Sequence, residues 1–307
     1  MAGPDAFKQR YFTEIGPRYG LLTGNTTRDL FTDLLLNVRD LSDTITSDSA
    51  VHDNASGPGT ATEALISWCY GRRHHEGKCG GGGGGVAARP KAVIATDYVP
   101  AMVEAGERIR ASRRAENPLW DRVRFKVADS ADLRSEFKDG EFTHSICNFS
   151  VFNLTHPEKC LREMHRTLAP GGVAAVTCWK RFGASELLSA AQRVVMGDEW
   201  ERRHRVPVAG PQYFEKGYLA KLVRDAGFEG AGMVETVEVR KTVEEGGEDW
   251  DGLYEFLTTS SLSVAATKGW SDDQAARWPE AVKTAMNSEK EQFGGLLFEA
   301  WAVIARK

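Results

Sequence analysis

The sequence predicts an α/β fold built on a doubly wound, mostly parallel β-sheet. Short apolar segments alternate with segments of helical periodicity between residues 47 and 180, a pattern that favours strands joined by crossover helices. Two of the apolar segments end on carboxylates, Asp97 and Asp129, as expected where parallel strands bring polar side chains to one edge of a sheet. The chain has 307 residues, 41% of them hydrophobic, which is enough for one large core.

Periodicity and turn signals predict the elements in chain order. Apolar residues at helical spacing predict a helix over 28–46, within an N-terminal helical cap over 1–46. The core elements are predicted as a strand centred on 50–51, a helix at 61–70, strands at 92–97, 123–129, 144–150 and 173–179, and helices at 101–112 and 157–168. Six consecutive glycines within 71–90 predict a flexible insertion, because ordering glycine costs the most backbone entropy.

The C-terminal part, residues 181–307, is predicted to complete the sheet and to cover the ligand. A helix at 216–227 and strands at 232–243 and 298–305 are expected. The helical residues between those two strands, about 244–296, predict a substrate lid, in which Ser271 and Gln274 have the spacing of a capping box. We therefore predict one domain over 1–307, with the cap at 1–46 and a ligand-binding core at 47–180.

The composition limits the classes of binding partner and the cellular location that we expect for this protein. A formal net charge of −4 and a pI of about 6.0 give no sign of the basic face that nucleic-acid binders carry. Five cysteines without a C-x-x-C pair, and a start without an apolar targeting segment, predict a reducing, cytoplasmic location. No apolar run reaches the roughly 18 residues of a membrane-spanning helix. We expect a small-molecule ligand, neither nucleic acid nor membrane as partner, and a monomer or homodimer.

The glycine loop V-H-D-N-A-S-G-P-G-T-A-T, residues 51–62, indicates the ligand. A dinucleotide loop reads G-x-G-x-x-G, whereas here Ala55 replaces the first glycine and Thr62 the third. Asp53 would repel a pyrophosphate but would attract an ammonium group. Ala55 is unstrained at negative φ, while positive φ there would be strained. The loop therefore favours a ligand with a cationic amino-acid end, as in S-adenosylmethionine (SAM).

Asp97 is the second feature, after the glycine loop, that we expect to contact the ligand. It lies 38 residues after Gly59, and removing the 18 residues 72–89 leaves 20, the spacing at which a carboxylate accepts the ribose hydroxyls of a bound nucleotide. The alternative interpretation of Asp97 is a helix N-cap without a ligand.

In order along the chain, D-N-A-S-G-P-G, T-D-Y-V-P-A-M, V-A-D-S-A-D-L, F-T-H-S-I-C-N-F-S-V-F-N-L and L-R-E-M-H-R-T-L-A-P-G-G-V-A-A-V-T-C-W resemble the motifs of class I SAM-dependent methyltransferases over about residues 46–180. In the fourth of these motifs, Thr143 stands where members of the family often have an aspartate after the phenylalanine. The resemblance implies a Rossmann-like, seven-stranded sheet with SAM as cofactor. The cofactor-binding residues that it implies are Tyr19, Thr23, Thr26, Asp53, Ala55, Gly57, Gly59, Thr60, Asp97, Tyr98, Met102, Asp129, Ser130, Ala131, Asn148 and Phe149.

More loosely, the chain resembles fungal small-molecule methyltransferases of secondary metabolism. Its Y-G-L-L-T-G-N-T-T and W-S-D-D-Q segments resemble the dithiol S-methyltransferases that act on epidithiodioxopiperazines. This resemblance implies a thiol acceptor. The residues expected to line the acceptor site are Phe152, Asn153, Trp179, Phe182, Tyr213, Phe214, Trp250 and Tyr254, because aromatic side chains suit an apolar ring.

We expect no required general base, since positioning and desolvation carry methyl transfer to a nucleophile that is already partly ionised. His156 is the best candidate for a base, ahead of His144, which we expect to be structural, and His165, for which we expect a surface or capping role. A zinc site at Cys69, His74, His75 and Cys79 has an unfamiliar spacing, and we predict no metal.

Three other functions remain open from the sequence: an NAD-type oxidoreductase, a regulatory protein of secondary metabolism on a methyltransferase fold, and a SAM-using enzyme without net methyl transfer. Methylation of nucleic-acid bases is disfavoured, because the family members that perform it carry an N/D-P-P-Y motif where this chain reads N-F-S-V-F-N.

Overall fold

The computed structural model of the protein describes residues 4–76, 89–206, 209–228 and 234–307. In these residues the strands are β1 (Ala50–Asn54), β2 (Ala92–Asp97), β3 (Val123–Val127), β4 (Phe142–Cys147), β5 (Leu168–Arg181), β6 (Val234–Val243) and β7 (Leu296–Arg306). The helices are α1 (Pro4–Ile15), α2 (Tyr19–Leu22), α3 (Thr26–Asn37), α4 (Arg39–Ser42), α5 (Thr60–Glu76), α6 (Pro100–Arg113), α7 (Pro157–Thr167), α8 (Gly183–Met196), α9 (Asp198–His204), α10 (Tyr218–Asp225), α11 (Glu248–Thr259), α12 (Ser261–Ala266), α13 (Asp272–Ala276) and α14 (Trp278–Phe293). Short 3₁₀ turns lie at Gly16–Arg18, Pro118–Arg122, Val151–Asn153 and Pro211–Phe214.

The strands form one sheet in the order β3-β2-β1-β4-β5-β7-β6. Neighbours are parallel from β3 to β5, and β7 runs antiparallel to both β5 and β6. The strand order reverses between β1 and β4, so this pair of carboxyl ends is the topological switch point where such sheets bind ligands. The predicted doubly wound, Rossmann-like sheet is confirmed.

Helices cover both faces of the sheet. One face packs against α3, α5, α8, α11 and α14, and the other against α7 and α10. Strands buried on both faces read as continuous apolar runs, which is why β2 and β5 could be recognised in the sequence. The strand predicted at 173–179 begins earlier, because residues 168–172 already belong to β5, and the register with β4 shifts between Phe142 and His144.

Two predicted helices have different bounds. The helix expected over 28–46 is broken at Val38, whose φ of −109° and ψ of 96° are extended, so α3 and α4 are separate. The helix expected at 61–70 continues to Glu76, and the glycine run of the predicted insertion, within 77–88, lies outside the described residues. The capping box is confirmed: Ser271 Oγ accepts from the Gln274 N–H and the Gln274 side chain accepts from the Ser271 N–H.

Polar contacts join the N-terminal cap to α11, which belongs to the predicted lid. The Arg18 guanidinium donates to both carboxylate oxygens of Glu255, at 2.5 and 2.6 Å. Asn25 Nδ2 donates to Asp249 Oδ1 at 2.6 Å. Arg18 and Glu255 are half exposed, so their pairing orients the cap more than it stabilises the fold.

The cysteines of the described residues are buried and free. They are Cys69, Cys147, Cys160 and Cys178. Burial raises the pKa of the Cys178 thiol to about 12, and hydrogen bonding to Cys160 together with burial raises the pKa of Cys147. Cys79 of the weighed zinc site, and the side chains of His74 and His75, lie outside the description. Within the described ranges, no three metal-binding side chains cluster, and no helix is long and apolar enough to span a bilayer.

Candidate cofactor-binding site

A first cleft of about 580 Å³ opens at the carboxyl ends of β1, β2 and β4, with the cap over it. Its lining residues are Phe12, Tyr19, Ala55, Ser56, Gly57, Pro58, Thr60, Asp97, Tyr98, Met102, Asn148, Phe149, Ser150, Asn153 and Leu154. The cleft lies at the switch point of the strand order, where the sheet geometry predicts a ligand.

The glycine loop turns sharply between β1 and α5. Ala55, Gly57 and Gly59 have φ of +54°, +57° and +88°. The alanine therefore has a positive φ, the conformation that we expected to be strained at this position. The Ser56 N–H donates to the Thr96 carbonyl at 2.8 Å and thereby ties the loop to β2. A Cβ on Gly59 would lie 2.8 Å from the Phe125 ring, so this glycine allows close packing and does not line the cleft.

Asp97 holds the loop against β2. Its Oδ2 accepts from the Gly57 N–H at 2.8 Å and its Oδ1 from the Val99 N–H at 2.9 Å. The carboxyl group is 8% exposed, and this burial raises its pKa. Asp97 is not the N-cap of α6, because that position is Val99 and has no side-chain cap bond; Asp97 orders the turn before the helix and lines the cleft, where its remaining lone pairs can accept from hydroxyl groups.

Asp53 lies behind the loop, away from the cleft lining. Its Oδ2 accepts from the N–H and the hydroxyl of Thr62, at 3.1 and 2.7 Å, while Oδ1 has no hydrogen-bond partner. Burial raises the pKa of this carboxyl to about 7. Thr62, which replaces the third glycine, therefore has a structural role: it holds Asp53. Asp53, which was expected to contact an ammonium group, does not line the cleft.

The exit of β4 forms the opposite wall. Asn148 Oδ1 accepts from the Thr177 hydroxyl at 2.8 Å, and Asn148 Nδ2 donates to the Thr27 carbonyl at 3.1 Å. Phe149 has φ of +53°, which is rare for a bulky residue. The Ser150 hydroxyl donates to the Ala55 carbonyl at 2.6 Å, so the exits of β1 and β4 are joined.

A second cleft of about 780 Å³ continues from the first and shares Tyr98, Asn153 and Leu154 with it. Its other lining residues are Asp129, Ser130, Ala131, Thr155 and His156. Asp129 is exposed, and its Oδ1 accepts from the Ala131 N–H at 2.9 Å, so Oδ2 remains available to a ligand. The His156 ring is exposed and lies 3.7 Å from Glu158 Oε1. The two clefts therefore unite the predicted residues of the second, third and fourth strands.

The cap contributes one predicted side chain to the first cleft. Tyr19 lines it, whereas the hydroxyls of Thr23 and Thr26 are used inside the cap, donating to the carbonyls of Tyr19 and Thr23 at 2.8 and 2.9 Å. Burial raises the pKa of Tyr19 to about 12.

Most of the expected acceptor-site residues pack in the core. Trp179 is 4% exposed and lies between the rings of Phe149 and Phe182, with centroids 4.1 and 4.9 Å away. Tyr213 and Trp250 are also buried, and Phe152 and Tyr254 pack against the core. Of the eight residues, Asn153 lines the first two clefts and Phe214 lines a third.

That third cleft, of about 1280 Å³, lies at the end of β5 and was not predicted from the sequence. It is bordered by charged side chains that are already paired. Lys180 Nζ lies 2.5 Å from Glu238 and 3.4 Å from Glu299, and Arg205 lies 3.2 Å from Glu186.

Five residues of the first cleft were missed: Phe12, Ser56, Pro58, Ser150 and Leu154. Ser56, Pro58 and Ser150 adjoin loop residues that were predicted, so their sequence neighbours were a usable signal. Phe12 comes from α1, 39 residues before the first residue of the loop, and no local pattern marks it.

The family model described as "Methyltransferase domain" matches residues 78–176, from before β2 into β5. The match begins after the glycine loop. The strand order and the cleft at the switch point give this chain the Rossmann-like fold of class I methyltransferases, and the methyltransferase domain model matches the part of it from residue 78 to residue 176.

The relatives are methyltransferases. The chain is 36% identical over 140 residues to the methyltransferase ucsB of an Acremonium species, covering 44% of this chain and 43% of that protein. It is 36% identical over 120 residues to a demethylmenaquinone methyltransferase of Clavibacter sepedonicus, covering 39% of this chain and 37% of that protein. The chain thus matches less than half the length of either relative.

Two solved structures share the fold. One is a protein of Bacillus halodurans assigned to the methyltransferases, with a TM-score of 0.50 and 14% identity over 90% of this chain and 98% of the other. The second is a protein of Anabaena variabilis assigned as a methyltransferase of an antibiotic biosynthesis pathway, with a TM-score of 0.50 and 12% identity over 90% and 96% of the two chains. At these identities the likeness concerns the fold.

Proposed function

We propose that this protein is a SAM-dependent methyltransferase that acts on a small-molecule acceptor. The observation that carries the proposal is the pair of connected clefts across the carboxyl ends of β1, β2 and β4 in a domain of this fold. Asp97 and the left-handed glycine loop meet there, on neighbouring strands.

The side chains of the clefts fit SAM part by part. Asp97 can accept from the ribose hydroxyls, Tyr98 and Met102 offer apolar surface to the adenine, and Asp129 has an unused carboxylate oxygen for the adenine amino group. Gly57 leaves open space at its Cβ position, so a ligand can approach the loop backbone. When bound, SAM supplies a sulfonium-activated methyl group.

Positioning, not acid–base chemistry, is the role of the residues of the first cleft. Within the described lining, the ionisable side chains are Tyr19, Asp97 and Tyr98, and there is no histidine, lysine or cysteine. Tyr19 keeps its proton at neutral pH because burial raises its pKa to about 12. Both carboxylate oxygens of Asp97 accept backbone N–H groups. His156, the candidate base, lies in the second cleft instead.

Because the described lining of the first cleft has no general base, the acceptor has to be nucleophilic without deprotonation by the protein. A thiol has a pKa near 8.5 and is partly ionised at neutral pH, whereas an aliphatic alcohol needs a base. We therefore favour S-methylation. The looser resemblance to fungal dithiol methyltransferases, and the similarity to a fungal methyltransferase, agree with a secondary metabolite as acceptor.

The test is mass spectrometry of products formed with isotope-labelled SAM and a panel of thiols, phenols, amines and carboxylic acids. We expect label on thiols. Label on phenols or amines alone would contradict the thiol preference, and a changed acceptor that gains no label would indicate a SAM-using reaction without methyl transfer. Calorimetry that detects no binding of SAM or S-adenosylhomocysteine would overturn the proposed function.

A further inference from the structure

The first two helices of the cap cover side chains of the first cleft. Phe12 of α1 and Tyr19 of α2 both line this cleft. Met102 and Asp97, which line it from the side of β2 and α6, are only 1% and 8% exposed. A ligand of the size of SAM therefore needs α1 and α2 to move before it can reach these two residues or leave them.

Different kinds of contact hold the cap on the two sides of the cleft. On the side of α6, Ile15 packs with Val99 and Met102 in a small cluster of buried residues that is separate from the main core. On the side of α11, the contacts include the hydrogen bonds from Arg18 and Asn25. Regions with few buried apolar contacts open at low free-energy cost. The contacts to α11 therefore contribute to the balance between a closed and an open cap.

The turn between α2 and α3 is anchored on α11. Gly24 and Asn25 have φ of +59° and +52°, and two consecutive left-handed residues reverse the chain tightly. A Cβ on Gly24 would lie 2.6 Å from Cδ1 of the buried Leu253, so the glycine allows the turn to approach α11 closely. Asn25 Nδ2 donates to Asp249, one helical turn before Leu253. The turn is thus a fixed point from which α1 and α2 extend over the cleft.

The Arg18–Glu255 pair is a second contact with α11, and it differs from the anchored turn in being exposed. Its two bonds are 2.5 and 2.6 Å long, and the side chains are 51% and 40% exposed. Two parallel bonds fix the direction of the guanidinium as well as its distance. Arg18 directly precedes Tyr19 in the chain, so fixing Arg18 also fixes the start of α2 above the cleft. An exposed ion pair is nevertheless weak, and it can open without unfolding the cap.

We propose that the Arg18–Glu255 pair is a latch that holds the cap closed and sets the rate at which the cofactor dissociates, with Arg18 and Glu255 as positioning residues that act through Tyr19. The inference rests on the proposed function. Opening separates Arg18 from Glu255 and Ile15 from its cluster, while the turn at Gly24 and Asn25 stays on α11.

The experiment measures the dissociation rate of S-adenosylhomocysteine from the full chain by surface plasmon resonance, at two salt concentrations. In about 0.01 M salt the screening length is about 30 Å, and in about 1 M salt it is about 3 Å, close to the length of the two bonds. At low salt we expect R18Q to dissociate about two- to fivefold faster than wild type, the scale of an exposed ion pair. At high salt the two rates should converge, because screening weakens the pair in wild type.

A charge exchange separates the ion pair from a packing role of either side chain. E255R alone should raise the dissociation rate at least as much as R18Q, because it places two cations together. The double variant R18E/E255R restores opposite charges and should return the rate toward that of wild type. R203Q is the matched control: it removes another exposed pair, Arg203–Glu199 on α9, which borders none of the three clefts, and should leave the rate unchanged. Binding of the ligand shows that each variant is folded.

Three results would overturn the latch while wild-type binding of S-adenosylhomocysteine upheld the proposed function. They are an R18Q rate equal to that of wild type at low salt, an R18Q effect of the same size at both salt concentrations, and a double variant that dissociates as fast as E255R. If the wild-type protein bound neither SAM nor S-adenosylhomocysteine, both proposals would fall.

Discussion

Replacing Asp53 by asparagine should make the protein more stable at pH 8 but not at pH 4. Asp53 is fully buried, and its Oδ2 accepts from Thr62 while Oδ1 has no partner. This burial raises the pKa of the carboxyl from 3.8 to about 7. An asparagine has nearly the same shape, its oxygen can accept both Thr62 bonds, and it carries no charge to desolvate.

The sign and the size of the stability difference between Asp53→Asn and wild type follow from the linkage between proton binding and folding. Since the pKa is higher in the folded than in the unfolded chain, the folded state binds more protons between pH 4 and 7, and its stability falls as pH rises through that window. A rise from 3.8 to about 7 corresponds to at most about 4 kcal/mol, complete above pH 7. The stability of Asp53→Asn minus that of wild type should thus climb from near zero at pH 4 toward this value at pH 8.

Urea denaturation of both proteins at half-unit intervals from pH 4 to 8.5 measures that difference. Burial lowers the pKa of His52 to about 3 and of His144 to about 4. Below pH 6.5 these two histidines therefore make the protein more stable as pH rises, which is opposite to the effect of Asp53. They are present in both proteins, and their contribution cancels. Asp132→Asn, at an exposed carboxylate, is the control. A difference that stayed constant with pH would refute the reasoning, because Asp53 would then be ionised in the folded state throughout.

Two further predictions concern the site and the core. Asp97→Ala should weaken the binding of S-adenosylhomocysteine by about 1.5–3 kcal/mol, as measured by calorimetry, and unchanged affinity would remove Asp97 from the site. Gly106→Ala places a Cβ 2.2 Å from the Phe125 ring and should cost about 1–3 kcal/mol of stability through overpacking. Thermal denaturation checks this, and adding Phe125→Leu should recover part of the loss; an unaltered melting temperature in the single variant would contradict the packing.

The sheet and the edge at which the first two clefts lie could be predicted because both leave local signals. Central strands contain continuous apolar runs, such as 92–95 in β2 and 173–176 in β5, and Asp97 and Asn148 stand out because each lies just after an apolar strand segment. The first cleft contains both of these residues. The direction of the chain after each strand is also local, since Pro100 and Pro157 begin the following helices.

Side-chain direction could not be predicted. We expected Asp53 to follow β1 and face the ligand, but it lies inside the strand, one residue short of the end, and Thr62 holds it inward. Trp179 was expected at the acceptor and is packed between Phe149 and Phe182. Aromatic residues occur in hydrophobic cores and in ligand pockets alike, so the residue type could not show in which of the two Trp179 lies. The break at Val38 likewise interrupts an apolar period that continues on both sides of it.

The burial of the cysteines determines whether the protein is a substrate of its own reaction. Under the proposed thiol methyltransferase activity, the protein would hold an activated methyl group in the same molecule as its own cysteine thiols. Cys69, Cys147, Cys160 and Cys178 are buried and border none of the three clefts described here. Cys147 and Cys178 also stay protonated at neutral pH, because their pKa values are raised. All four thiols are therefore kept out of the clefts by burial, and Cys147 and Cys178 also lack the thiolate that would accept a methyl group.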